Sequence, residues 1–189
     1  MTSSKLYEEL NSVDHSRERR QRFADIILKD SSLIYPLLDL LNIVNDPISC
    51  RAAWVLEYAC RENIALIVPY LDTFLKVAPK VSLDGAVRPV AKIMECLAEA
   101  YYLEENDIIK HSLKKSHIEA IVEVCFDYLI NDEKIAPKAY SMNTLFLFGK
   151  DLDWVHPELK TIIERDYQIQ SSGFKARARQ ILKKLAKAK

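Results

Sequence analysis

The chain has 189 residues, 49% of them hydrophobic and 29% charged, with 27 basic side chains against 27 acidic ones. That length supports one self-sufficient core, and the composition lies outside the low-hydrophobicity, high-charge range of disordered segments. Zero net charge gives no overall attraction to a polyanion, and 3 glycines are too few for hairpin-rich β folds, phosphate-binding loops or a dinucleotide fingerprint.

At the N-terminus, Lys5, Glu8 and Glu9 stand where a secretory signal would need an apolar run. No stretch approaches the roughly 20 uncharged apolar residues of a membrane span, so a cytoplasmic location is expected, with no membrane partner. Beyond it apolar residues recur at helical spacing: Ile26, Ile27, Ile34, Leu37, Leu38 and Leu41 early on, Ile118, Ile121, Val122, Cys125 and Leu129 later. Breakers at Asn45-Asp46-Pro47, Pro79, Asp84-Gly85, Asn131-Asp132, Gly149 and Ser171-Ser172-Gly173 divide the chain into about ten helices of roughly 10 to 20 residues. Cys50, Cys60, Cys96 and Cys125 fall inside helical stretches without metal or redox spacing, which predicts reduced, partly buried thiols.

The helices repeat in pairs. Pro36, Pro69 and Pro157 are each followed two residues later by leucine and five later by a large apolar residue. Ser116 fits the same frame and offers a capping box to Glu119. A preceding helix also recurs, marked by a basic residue before small ones at Arg51, Arg88, Lys138 and Lys175. These anchors lie about 37, 50 and 37 residues apart, the range of two-helix repeat units. The units are 15–44, 47–78, 83–131 and 134–169; the third is enlarged at 102–115, and 172–187 forms a closing helix.

The basic anchors, the helix-opening prolines and the closing segment from Lys175 to Leu185 resemble HEAT-like or armadillo-like repeats. The likeness covers nearly the whole chain; Trp54, where a small residue is usual, and the enlarged third unit depart from it. It implies an all-α fold, a right-handed superhelix of about four helix pairs with a C-terminal capping helix, and a non-enzymatic scaffold or adaptor that presents a curved surface to a protein or peptide.

Stacked in register, the second helices place equivalent positions in neighbouring rows. Three and seven residues after each helix-opening position stand Asp39, Asp72, Glu119 and Lys160, then Ile43, Lys76, Glu123 and Glu164. Asp39, Asp72, Glu119, Glu123, Lys160 and Glu164 are therefore the candidate partner-binding residues, suited to a partner of basic character.

The competing reading is a nucleic-acid binder, because residues 171–189 contain Lys175, Arg177, Arg179, Lys183, Lys184, Lys187 and Lys189 and no acid. Within HEAT-like stacks the resemblance also brings in the alkylpurine DNA glycosylases, for which Trp54, Trp154 and Asp151 supply residue types but no matching motif. Convergence of Arg17, Arg19, Arg20 and Arg22 with the basic closing helix would favour that reading. Phosphates would instead be repelled by the acidic second-helix face.

No catalytic constellation emerges. His15, His111, His117 and His156 are scattered and read as surface or capping residues. Asp151 and Asp153 read as a solvated helix cap. Tyr101, Tyr102, Phe126, Tyr128, Phe146 and Phe148 read as core or inter-repeat filling. The signature loop and the long bundle of adenylosuccinate lyases are missing. No enzyme activity, cofactor or metal is expected.

Overall fold

Side-chain caps open several of the helices in this computed structural model, which describes residues 3–14, 16–104 and 106–187. Ser16 accepts from the Arg19 amide to open α2 (Arg17–Lys29), and Asp46 accepts from the Ile48 amide at 2.8 Å to open α4 (Pro47–Glu62), with proline in its favoured first position. The described residues form eleven α-helices and no strand. The others are α1 (Ser3–Leu10), α3 (Ile34–Leu41), α5 (Leu71–Val77), α6 (Asp84–Tyr102), α7 (Asp107–Ser112), α8 (Lys115–Ile130), α9 (Ile135–Phe148), α10 (Val155–Asp166) and α11 (Ser172–Lys187). His15 and Lys189 lie outside the described residues.

Several helices are shorter than the periodicity predicts. Pro69 has no amide hydrogen and its ring crowds the carbonyl four residues back, so Ile64–Tyr70 stays a 3₁₀ segment and α-helix resumes only at Leu71. Pro36 sits in the first turn of α3, behind a 3₁₀ turn at Ser31–Leu33 capped by Asp30. The stretch 102–115 holds α7, which is capped by Asn106, buries Ile109 and packs against α6 and the Ile64–Tyr70 segment.

The helices pack in two rows. α2, α4, α6, α9 and α11 are successive neighbours in the first; α3, α5, α8 and α10 are successive neighbours in the second. The chain alternates between rows, and α1 packs on α3 and α4. Between the rows lies a continuous core that includes Leu37, Leu41, Leu56, Phe74, Leu97, Ile121, Phe148, Ile163 and Phe174.

One contact gives Trp54 a structural role. Within α6, Pro89 cannot donate to the Gly85 carbonyl four residues earlier. The Trp54 indole of α4 supplies the missing donor, Nε1–H to Gly85 O at 2.8 Å. A Cβ at Gly85 would meet Cys50 Sγ at 2.9 Å, so the glycine is what lets α4 approach this closely.

Candidate functional site

The second row places the predicted residues on four successive helices: Asp39 on α3, Asp72 on α5, Glu119 and Glu123 on α8, Lys160 and Glu164 on α10. All six are exposed. Three interactions temper the acidity. Lys115 lies 3.9 Å from Glu119, Lys160 lies 3.7 Å from Glu164, and Asp72 Oδ1 stands 3.0 Å from His117 Nε2. His117 Nδ1 accepts from the Lys114 amide at 3.3 Å, so Nε2 carries the proton and donates to Asp72. That bond holds the Asp72 carboxyl below its ordinary value.

The same geometry corrects the expected box at Ser116 and Glu119. α8 begins two residues earlier than that box implies, at Lys115, and the imidazole of His117 takes the reciprocal capping role. His117 is thus a capping histidine, but a buried one.

Two aromatic residues belong to this face. Phe126 of α8 is half-buried and stacks on Trp154, with ring centroids 5.5 Å apart and planes 26° from parallel. Trp154 stands just before α10 and is 55% exposed. Phe126 packs against the core, as filling should, and also forms the base of a surface pair.

The first row carries a polar ladder that the sequence did not reveal. Arg88 of α6 grips Glu57 of α4 at 2.7 and 3.3 Å, and Arg61 lies 3.8 Å from the same carboxylate, which is only 2% exposed. Further along, Lys92 donates to Glu95 at 2.8 Å, while Asn143 of α9 donates to Glu95 at 3.0 Å and to Glu99 at 3.1 Å. Lys184 of α11 donates to the Asn143 carbonyl at 3.4 Å. Burial, with Glu95 beside it, raises the Glu99 carboxyl above its ordinary value. Beside the Glu57 end opens a cleft of about 980 Å³, lined by Arg17, Arg20, Arg22, Arg61 and Arg88 but also by Glu18, Asp25, Glu57 and Glu62.

The arginines of α2 do not meet the basic closing helix: α4, α6 and α9 stand between α2 and α11 in the row. Asp151 is no helix cap; it accepts from the Tyr102 hydroxyl, and α10 starts at Val155, with Trp154 before it and no side-chain cap. His156 is half-buried, stacked on Phe146 and bonded to its carbonyl at 2.8 Å. All four cysteines are free, and burial raises each thiol, that of Cys96 to about 11. Among the described residues no group of three or more His, Cys, Asp or Glu side chains is placed to hold a metal ion, and no helix is long and apolar enough to cross a membrane.

Compared with protein-family models, with curated proteins and with solved structures, the chain finds no match.

Proposed function

We propose that this chain is a HEAT-like helical-repeat scaffold: a right-handed superhelix of about four helix pairs, closed by α11, that binds a basic protein or peptide in the cytoplasm and catalyses nothing. The observation that supports this reading is the second-row face. Four successive helices there hold out Asp39, Asp72, Glu119, Glu123, Lys160 and Glu164, five of the six acidic and all of them exposed. Charges repeated along a stack steer a complementary partner and fix its register, although each exposed pair adds only about 0 to 1 kcal/mol.

The test is fluorescence anisotropy with a short labelled peptide rich in lysine and arginine. Saturable binding is expected, and lost when Asp39, Glu119 and Glu123 are all replaced by lysine. Asp72 is left in place because it holds His117. Unchanged binding by the triple variant would refute the reading.

A second reading, a nucleic-acid-binding or DNA-repair protein of the alkylpurine glycosylase kind, draws on the five arginines of the first-row cleft. Its four carboxylates weigh against phosphate binding. Tight binding of a labelled DNA duplex at physiological salt would favour this reading over the scaffold.

A further inference from the structure

The exposed stripe of α8 follows helical spacing. Glu119, Glu123, Phe126 and Ile130 fall along one side of the helix, all of them exposed except half-buried Phe126. Trp154 leans over this stripe from the start of α10 and covers Phe126 with one ring face. Even so stacked, Trp154 is 55% exposed.

Five other aromatic rings carry one of the protein's own cations: Arg20 lies over Trp54, Arg61 over Tyr58, Lys92 over Tyr140, Lys150 over Tyr102 and Lys184 over Phe146. Among the described residues, none of these contacts uses Trp154. An indole face is the best aromatic receptor for a cation, and the carboxylates nearest this pair in sequence are Glu123, one helical turn before Phe126 on α8, and Asp153, the residue before Trp154.

We propose that Trp154 and Phe126, with Glu123 one helical turn before Phe126 on the same side of α8, form a subsite for one lysine or arginine side chain of the basic partner. The proposal rests on the reading of the second-row face given above and locates the anchor within it. The cation would sit over the indole face that is not stacked on Phe126, and Glu123 would accept its N–H groups. Charge complementarity selects this occupant: a nucleic acid would bring phosphates to a stripe already carrying Glu119 and Glu123, whereas a guanidinium or ammonium meets attraction from both ring and carboxylate.

The chain has 2 tryptophans, so a ¹⁵N-labelled sample gives one indole N–H signal each for Trp54 and Trp154, assigned through Trp154→Phe. The probe is a short peptide of alternating glycine and arginine, with a glycine–glutamate peptide and a single-stranded oligonucleotide as comparisons. The arginine peptide should shift the Trp154 signal saturably and leave Trp54 in place, and Trp154→Ala and Glu123→Gln should each weaken binding roughly 3- to 30-fold while the circular dichroism stays unchanged.

The proposal is overturned if the arginine peptide leaves Trp154 unmoved, or if either comparison shifts it more. A signal that moves with protein concentration alone would assign the patch to a second copy of the chain and overturn it equally. Peptide binding that survives Trp154→Ala but not the triple lysine variant would refute the subsite alone, and binding that survives both would refute the face as well.

Discussion

The Trp54 bond to Gly85 makes a quantitative prediction, because Pro89 creates the need for it. In Trp54→Phe the indole donor is gone and the Gly85 carbonyl, already without its α6 partner, is left unmatched at a packed helix contact. An unsatisfied carbonyl of this kind costs about 1–3 kcal/mol, to which the smaller ring adds lost packing. For a chain of this size each kcal/mol lowers Tm by about 2–4 °C. Pro89→Ala returns an amide hydrogen to α6 in reach of the same carbonyl. It should therefore stabilise Trp54→Phe by about 1 kcal/mol more than it stabilises the wild type, a coupling that subtracts the proline's own effect on the helix. Urea denaturation of the four proteins measures the cycle. Equal effects of Pro89→Ala in both backgrounds, within about 0.3–0.5 kcal/mol, would refute the shared-carbonyl reasoning.

Arg88→Leu should cost about 2–3 kcal/mol by urea denaturation, less than a fully buried pair because Arg88 is one-third exposed and Arg61 stays near Glu57; adding Glu57→Leu should recover most of the loss. For Glu99 the folded-state value is raised, so the ionised form burdens the fold above that value and the burden disappears below about pH 4. Glu99→Gln should therefore raise Tm near pH 7 and lose its advantage as the pH falls through that range, and an advantage independent of pH would contradict this. Phe174→Ala, which removes a fully buried ring from α11, should cost about 3–5 kcal/mol; a thermal melt unchanged from wild type would show that α11 does not seal the row.

What the sequence made legible was whatever rests on apolar period. Leu37, Leu41, Ile121 and Val122 are buried where helical spacing put them, and Phe174, Ala178, Ile181 and Leu185 form the inner side of α11. The recurring basic anchors Arg51, Arg88, Lys138 and Lys175 all fall in first-row helices, α4, α6, α9 and α11. Less legible was whatever depends on a particular neighbour. Glu57 and Glu95 belong to no sequence motif, and the packing of α4, α6 and α9 gives them partners and buries them. The indole that replaces Pro89's missing hydrogen bond comes from another helix, and Trp154 meets Phe126 across the second row. The expected Ser116 box failed for a local reason, because His117 competes for the same capping geometry and wins it with an additional bond to Asp72. For the second-row face, spacing supplied the positions, while its aromatic pair emerged only in three dimensions.

Mapping a lysine- and arginine-rich peptide onto the ¹⁵N-labelled protein tests the binding face most directly. If the second-row surface binds the partner, the backbone amides that shift on titration lie on α3, α5, α8 and α10, around Asp39, Glu119, Glu123 and Trp154. Shifts confined to α2, α4 and α6 around the arginine-lined cleft, or no saturable shifts at all, would contradict it.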